Sequence, residues 1–352
     1  MSDTKARNIS YDIMRITAIL MVLYNHREAF TYFTQVPYMS LKYILMISAS
    51  VLSRCGPPLF FMISGALLLG KTESFSKIFR HRILRIFIVM IPLALLAYFT
   101  WGESVKADGF VSVYTTKLNW YLYAYIAYLF MLPFLRILAQ NMNENQKKLF
   151  LILTIMTYTL SGICIPLSIS EHFTGNMTLF NSTWASDCWQ ITFPILGFLL
   201  VDFSENETNP NRKKRLGWIL LIGTILNFIL AILLMSYDIK ANGGANQEQI
   251  LQHSVLLPCC FIVYALHTGL KNKKLNHQFL NNFLAELSGA TFGIFLIETH
   301  TSYSSMIFNH VLMIEPYIGR YMCSIVSILC EFIIYFIVVF LLRRIPCIRK
   351  LL

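Results

Sequence analysis

Ten stretches of the chain are long enough and apolar enough to cross a lipid bilayer as helices. The hydrocarbon core is about 30 Å thick and a helix rises about 1.5 Å per residue, so a span needs about 20 mostly apolar residues. Because lipid offers the backbone no hydrogen-bond partners, such stretches fold as helices. The stretches are residues 11–33, 41–70, 83–101, 120–139, 149–168, 188–202, 216–237, 250–270, 286–308 and 321–342. We therefore predict an all-α, polytopic integral membrane protein with about ten transmembrane helices.

The composition agrees with a membrane protein rather than a soluble one. Of the 352 residues, 56% are apolar and only 13% are charged, and the mean hydropathy is +0.57. Soluble domains carry about 25% charged residues. The polar N-terminal residues lack the short apolar run and cleavage site of a signal peptide, so the first helix is expected to be retained as an anchor. The eight cysteines lack metal-ligand spacing, and no metal site is predicted.

The basic residues are distributed unevenly between the two sides of the predicted membrane. With the N-terminus inside, the predicted cytoplasmic segments and adjoining helix ends hold 22 of the 29 lysines and arginines. Cytoplasmic loops of membrane proteins collect these residues. The distribution predicts an even number of helices with both termini in the cytoplasm. This distribution also explains the net charge of +11. The expected partner is therefore membrane lipid, and nucleic acid is not expected as a partner.

The predicted outer loops are short, the longest being residues 102–119 and 168–187. Loops of this length cannot bury a hydrophobic core of their own. We therefore expect one membrane domain over residues 1–352, with no appended extracellular domain.

Three ionisable residues, Asp12, Arg15 and His26, interrupt the first apolar stretch. Positions 15 and 26 are three helical turns plus about 20° apart, so their side chains share a face about 16.5 Å apart along the axis. Asp12 lies on that face one turn earlier. Ionisable groups at such depth are costly in lipid and are expected to face a protein interior or a wet cavity. The residues are either an interfacial Asp12–Arg15 anchor plus a structural histidine, or a functional set.

The second apolar stretch contains Gly-Pro-Pro at residues 56–58, which is predicted to break or kink its helix. A broken membrane helix is tolerated where protein or a water-filled cavity satisfies the freed carbonyls. The sequence is therefore either a simple kink or part of a substrate cavity. Arg54, just before it, needs an acidic partner, and Glu28, Glu298 and Glu331 are available by composition.

The third predicted helix opens with a basic cluster that contains Arg80, Arg82 and Arg85. Arg82 and Arg85 are one turn apart on one face, and arginine is suited to forked contacts with phosphate oxygens. The preference for basic residues on the cytoplasmic side would also place arginines here. The cluster is either an anion site or a solvated cytoplasmic edge.

Two further places combine polar and aromatic residues with membrane helices. Asn119 and Trp120 open the fourth helix at the outer interface, where aromatic anchors are common. Glu298 and His300 lie deep in the ninth apolar stretch. Because they are two residues apart, they point to different sides of a helix, and at most one is expected to share a cavity with His26.

Together these stretches resemble the membrane-bound acyltransferase family 3, a family of multi-pass O-acyltransferases. The motifs are Asp12 and Arg15-x10-His26 in the first helix, GPPLFFMISG at 56–65 in the second, Arg82-x-x-Arg85 opening the third, Asn119-Trp-Tyr-Leu before the fourth, residues 288–297 in the ninth, and Arg-Arg-Ile-Pro-x-x-Arg-Lys near the C-terminus. They run in family order over nearly the whole chain. One position departs, because family members often have a histidine where this chain has Glu298.

The resemblance implies an acyl-coenzyme A donor, usually acetyl-coenzyme A, that enters from the cytoplasm. It implies an acceptor hydroxyl on an envelope glycan or lipid-linked sugar, and a bacterial cytoplasmic membrane as the setting. It also implies that His26 is the catalytic histidine. The catalytic candidates are Asp12, Arg15 and His26; the donor-binding candidates are Arg15, Arg80, Arg82 and Arg85; the candidate cavity or substrate residues are Arg54, Ser64, Asn119, Trp120, Glu298 and His300.

Acyl transfer from a thioester to a hydroxyl needs a base for the hydroxyl proton, and His26 is suited to that role. Direct transfer and relay through an acyl-imidazole both remain open. A secondary transporter or glycan flippase is the alternative, with the broken second helix and the intramembrane charges as its translocation site. A receptor or scaffold would leave His26 and the arginines unexplained.

Overall fold

The computed structural model describes residues 7–27, 36–100, 120–164, 166–167, 189–271, 273, 277–301, 303–349 and 351. Every regular element within these residues is helical, which confirms the all-α class. The long helices are α1 (Ile9–His26), α2 (Leu41–Ser53), α3 (Gly56–Leu68), α5 (Leu84–Thr100), α6 (Trp120–Asn141), α7 (Glu144–Cys164), α8 (Trp189–Asn206), α9 (Pro210–Asn242), α11 (Leu256–Leu270), α12 (Gln278–His300) and α15 (Arg320–Leu342). The shorter helices are α4 (Phe75–Ile78), α10 (Gln247–His253), α13 (Tyr303–Val311), α14 (Glu315–Ile318) and α16 (Pro346–Arg349).

All ten predicted spans coincide with helices, although fewer of them meet a length and hydropathy criterion. In the described part of the chain, seven segments are long and apolar enough to cross a membrane: Phe75–Phe99, Trp120–Asn141, Glu144–Cys164, Pro210–Asn242, Gln247–Leu270, Gln278–His300 and Arg320–Leu342. The bent pair α2 and α3 would make an eighth. The other two predicted spans are α1 and α8, each 18 residues long. The protein is therefore polytopic, and the count of ten remains a prediction.

The Gly-Pro-Pro sequence at residues 56–58 breaks the second span as predicted. Helix α2 ends at Ser53, and α3 begins at Gly56 with its prolines in the first turn, where the missing amide has no intrahelical partner to lose. The two helices meet at a bend of 40°. The broken span therefore presents two separately directed segments to the rest of the bundle.

Helix α1 lies at the centre of the bundle and packs against α2, α3, α11, α12 and α15. Its side chains Met14, Ala18, Ile19 and Val22 are buried. Lipid tails are as apolar as the helices, so the hydrophobic effect does not drive the helices together within a membrane. Their packing depends instead on close shape complementarity. The central position of α1 buries the first part of this helix, where Asp12 is only 3% exposed.

Candidate active site

Two contacts hold α1 and α12 side by side. Arg15 Nη1 donates to Ser288 Oγ at 3.4 Å, and His26 Nδ1 lies 2.7 Å from Glu298 Oε2. The contacts are eleven residues apart on α1 and ten on α12, so the helices run parallel and stay in register over about 15 Å. The predicted common face of Arg15 and His26 is therefore the face turned towards α12.

A cavity of about 550 Å³ lies beside Arg15, and basic side chains from three elements line it. Arg15 comes from α1, Arg82 from a π-helical turn (Phe79–Ile83) between α4 and α5, and Arg85 from α5. His81 also lines it, and no carboxylate is among its lining residues in the described part of the chain. Guanidinium groups stay charged and form forked hydrogen bonds to phosphate. This part of the cavity suits an anionic, phosphate-bearing ligand.

The remainder of the cavity is apolar and aromatic, with one polar pair. Phe60, Tyr121, Phe292 and Phe295 are among its lining residues, as are the two members of the pair, Ser64 and Tyr125. Ser64 Oγ and the Tyr125 hydroxyl lie 2.8 Å apart. Ser64, one of the candidate cavity residues, is thus among the lining residues of this cavity. A ligand held by its phosphates at the arginines would extend an uncharged arm along these rings.

A second cavity of about 330 Å³ adjoins the first and shares Arg15, Leu67, Ser288 and Gly289 with it. Its other lining residues include Asp12, which the sequence placed among the catalytic candidates. Asp12 Oδ2 accepts from Arg7 Nε at 2.7 Å, and Asp12 Oδ1 lies 3.8 Å from Arg15 Nη1. In these contacts Asp12 is the acidic partner of Arg7 and Arg15. Asp12 itself lies about 21 Å along the helix axis from His26.

Arg82 is oriented by a partly buried ionic cluster that sequence analysis did not identify. Its Nη2 donates to Glu73 Oε2 at 3.2 Å. Arg136 of α6 donates to the same oxygen at 3.2 Å and to the backbone carbonyls of Leu68 and Glu73 at 2.9 Å. Burial acts to raise the pKa of the Glu73 carboxyl, but the charge of Arg82 and the hydrogen bonds from Arg136 and Arg82 outweigh it and hold that pKa below its ordinary value. Glu73 therefore remains an anion between two arginines.

The basic residues at the start of the third span differ in whether they reach the cavity. His81 and Arg82 line it, whereas Arg80, predicted as a donor-binding residue, is exposed and is not among its lining residues. At about 100° per residue, Arg80 lies about 200° from Arg82 and about 140° from Arg85, whereas His81 lies about 40° from Arg85. Helical spacing alone therefore separates Arg80 from His81. Arg80, His81 and Arg82 lie in a π-helical turn, a feature that is frequent at functional sites.

Arg85 connects the cavity to the end of the chain. Its Nε donates to the backbone carbonyl of Leu351 at 3.0 Å. Arg7, near the other end, bonds Asp12 beside Arg15, and both Arg15 and Arg85 line the same cavity. Arg7 and Leu351 therefore lie at the same end of the helix bundle.

His26 stands outside the cavity, although it lies on the same helix face as Arg15. It is not among the described residues that line the cavity, and 35% of its side chain is exposed. The side chain of its partner Glu298 is 6% exposed. On α12 the cavity wall ends at Phe295, one helical turn before Glu298. The His26–Glu298 pair thus lies about 4.5 Å along the helix beyond the end of the cavity.

The acidic partner of Arg54 differs from the expectation. Arg54 pairs with Glu248 of α10, not with Glu298 or Glu331; Glu28 lies outside the described residues. Glu331 pairs instead with Arg27, whose Nε lies 2.7 Å from Glu331 Oε1. Composition could name the available acids but not choose among them, because the choice depends on which helices pack together. Arg54 is not among the described lining residues of the cavity.

The other predicted residues lie apart from the cavity. His300 Nδ1 is 2.9 Å from the Leu296 carbonyl and is buried, so Glu298 is the member of the pair that contacts His26. Trp120 packs edge to face on Trp189 and is 48% exposed, whereas Asn119 lies outside the described residues. Within the described residues, no group of three or more His, Cys, Asp or Glu side chains could hold a metal ion.

Comparison with known families identifies the family of the chain. The family model for acyltransferase family 3, described as an acyltransferase domain, matches residues 8–345. The chain belongs to this acyltransferase family. Searches of curated proteins and of solved structures gave no significant match. The protein is therefore a multi-pass membrane acyltransferase.

Proposed function

We propose that the protein transfers an acyl group, in the first instance acetyl, from acyl-coenzyme A to a hydroxyl of a glycan or lipid-linked sugar. The observation that carries this proposal is the cavity in which Arg15, Arg82 and Arg85 converge without a lining carboxylate in the described chain. Coenzyme A carries a pyrophosphate and a ribose phosphate, which match such a set of guanidinium groups. Its pantetheine arm would lie along the aromatic part of the cavity with the thioester directed towards His26.

His26 acts as the base in the proposed reaction. The acceptor oxygen attacks the thioester carbonyl carbon, its proton passes to His26 Nε2, the carbon–sulfur bond breaks, and the thiolate leaves and takes the proton. Glu298 supports this role because a carboxylate that accepts from Nδ1–H leaves Nε2 as the basic nitrogen and stabilises the imidazolium that forms. In the relay form the acyl group would first bond to Nε2 and then pass to the acceptor.

The site also suggests where the two substrates approach. The donor cavity lies at the bundle end that holds Arg7 and Leu351, and the partly exposed His26 lies about 16.5 Å further along α1 than Arg15. With both termini in the cytoplasm of a bacterial cell, the donor would enter from inside and an envelope glycan would meet His26 from the outer half. One membrane domain would then connect the two substrates.

Binding of coenzyme A to the purified protein in detergent tests the donor half of the proposal. We expect Arg85→Ala to weaken binding at least about tenfold, because a charge-assisted contact to phosphate is lost. Arg80→Ala is the matched control, since Arg80 lies on the same segment outside the cavity, and it should bind as the wild type does. Absence of binding at millimolar coenzyme A, or equal losses in the two variants, would contradict the proposal and favour a transporter.

A further inference from the structure

Two aromatic rings, those of Tyr121 and Phe295, line the cavity, and Phe295 is the lining residue of α12 nearest to Glu298 along the helix. The rings of Tyr121 on α6 and Phe295 on α12 meet edge to face with centroids 5.1 Å apart, and each residue is 7% exposed. Both residues line the cavity. We call this pair the aromatic constriction.

Neighbouring rings hold the aromatic constriction in place. Tyr121 packs against Phe61 at 5.4 Å and stacks on Tyr125 at 6.3 Å. Phe61 is completely buried. Edge-to-face and offset-stacked pairs are favourable arrangements, and buried side chains in close-packed interiors have little room to turn. The Tyr121 ring therefore has little room to move aside, even by the width of one methylene group.

The position of Phe295 along α12 places the constriction between the arginines and the catalytic pair. Ser288, which contacts Arg15, lies two turns before Phe295, and Glu298 lies one turn after it. The corresponding distances along the helix axis are about 10 Å and about 4.5 Å. A group that travels along this face from the phosphate end to His26 must therefore pass the Phe295 ring.

We infer that Tyr121 and Phe295 set the length of the acyl chain that the enzyme accepts. This inference rests on the proposed acyl-coenzyme A donor, because it takes the acyl group to be the part of the donor that reaches the constriction. Because the two rings are already in contact, each methylene added to the acyl group would have to displace ring atoms, so a short acyl group is expected to be accepted more readily. A single methylene in an apolar pocket changes discrimination by about 10- to 200-fold.

Competition against labelled coenzyme A, measured with acetyl- and butyryl-coenzyme A, tests the inference without knowledge of the acceptor. The wild type should bind butyryl-coenzyme A at least about tenfold more weakly than acetyl-coenzyme A. Phe295→Ala should bring the two affinities to within about threefold. Phe292→Ala is the matched control: it removes a cavity ring one turn nearer the arginines and should weaken both donors by the same factor.

Phe295→Leu keeps an apolar side chain, so it should shift the ratio of the butyryl- and acetyl-coenzyme A affinities in the same direction by a smaller factor. This variant provides the measurement if Phe295→Ala does not fold. Equal affinities in the wild type, or an unchanged ratio in the folded Phe295 variant, would overturn the inference while leaving the proposed function intact. Failure of the wild type to bind any of the coenzyme A species would overturn both.

Discussion

The contact between His26 and Glu298 carries most of the proposed chemistry at the scale of single residues. The structure brings the Glu298 carboxylate 2.7 Å from His26 Nδ1. In the proposed reaction, a negative charge at this position would stabilise the imidazolium in the transition state better than a neutral partner would. At the one position where the sequence departs from the expected pattern, the proposal therefore has a carboxylate–histidine pair.

Replacing that charge should slow transfer while sparing donor binding. We expect Glu298→Gln to lower the rate of acyl transfer at least about 10²-fold, in the range that general acid–base groups contribute. The affinity for coenzyme A should stay unchanged, because Glu298 is not among the described lining residues of the cavity. Glu286→Gln is the control, since Glu286 lies on the same helix and pairs with Arg343 away from His26. An unchanged transfer rate in Glu298→Gln would contradict the assigned role.

The cluster of Glu73, Arg82 and Arg136 predicts a pH-dependent contribution to stability. Because the pKa of Glu73 is lowered in the folded protein, its contribution is fully present above the ordinary value of 4.5 and is lost as the pH falls through the lowered value. The difference in melting temperature between the wild type and Glu73→Gln should therefore be constant near neutral pH and shrink below about pH 4.5. A thermal melt series across that range measures it.

The control for this series is Glu144→Gln. Glu144 also pairs with a basic residue, Lys147, but 75% of its side chain is exposed, and an exposed ion pair contributes little. Its melting temperature should follow that of the wild type at every pH. A Glu73 effect that grows as the pH falls would have the wrong sign for a lowered pKa.

At the scale of helices, the crossing of α3 and α8 fixes the wall of the donor cavity. A Cβ on Gly65 would lie 1.9 Å from the Pro194 carbonyl oxygen, and one on Gly197 would lie 2.1 Å from the Met62 carbonyl oxygen. Two backbones can approach this closely only where neither carries a side chain. The crossing holds the α3 segment that contributes Ser64 to the cavity.

Adding one methyl group at this crossing should destabilise the whole protein. Because backbone atoms cannot move aside as a flexible side chain can, Gly65→Ala and Gly197→Ala should each cost about 3 kcal/mol, the upper part of the usual range for overpacking. Thermal unfolding in detergent measures the loss. Gly269→Ala in α11 is the control, since nothing lies within 4 Å of a Cβ there. A wild-type melting temperature in Gly65→Ala would show that the helices are further apart.

Helix positions could be predicted from the sequence because they follow from apolar length and from proline, both of which are local properties. The break at residues 56–58 is of this kind. The π-helical turn at Phe79–Ile83 could not be predicted in this way, since nothing in its composition distinguishes it from an α-helical turn. His81, which lines the cavity, was not among the predicted residues, and Arg80, which was predicted, is not among the described lining residues, although helical spacing alone turns it away from Arg82.

Most contacts between helices could not be predicted from the sequence, because they are not local properties of the chain. Periodicity placed Arg15 and His26 on one face, and the parallel packing on α12 bears out that geometry. It could not show that Arg54 would meet Glu248, or that Arg136 would hold Glu73 beside Arg82. Each of these pairs joins residues that are distant in the chain and that only the packed bundle brings together.

For the whole molecule, the arrangement would separate the two proposed substrates along one helix pair. The described ends of the chain and the arginine-lined cavity lie at one end of the parallel pair α1 and α12, and His26 lies towards the other. A membrane enzyme built in this way can take a donor from one side and serve an acceptor that approaches from the other. The account therefore depends on acyl transfer by a residue that lies beyond the donor cavity.

The most direct test is the incorporation of radiolabelled acetyl from acetyl-coenzyme A into envelope glycan by membranes that contain the protein. His310→Gln, an exposed histidine on α13, serves as the control for His26→Gln. We predict that membranes with the wild type and with His310→Gln incorporate label, and that His26→Gln reduces incorporation at least about 10²-fold while still binding coenzyme A. Wild-type incorporation by His26→Gln would contradict the account.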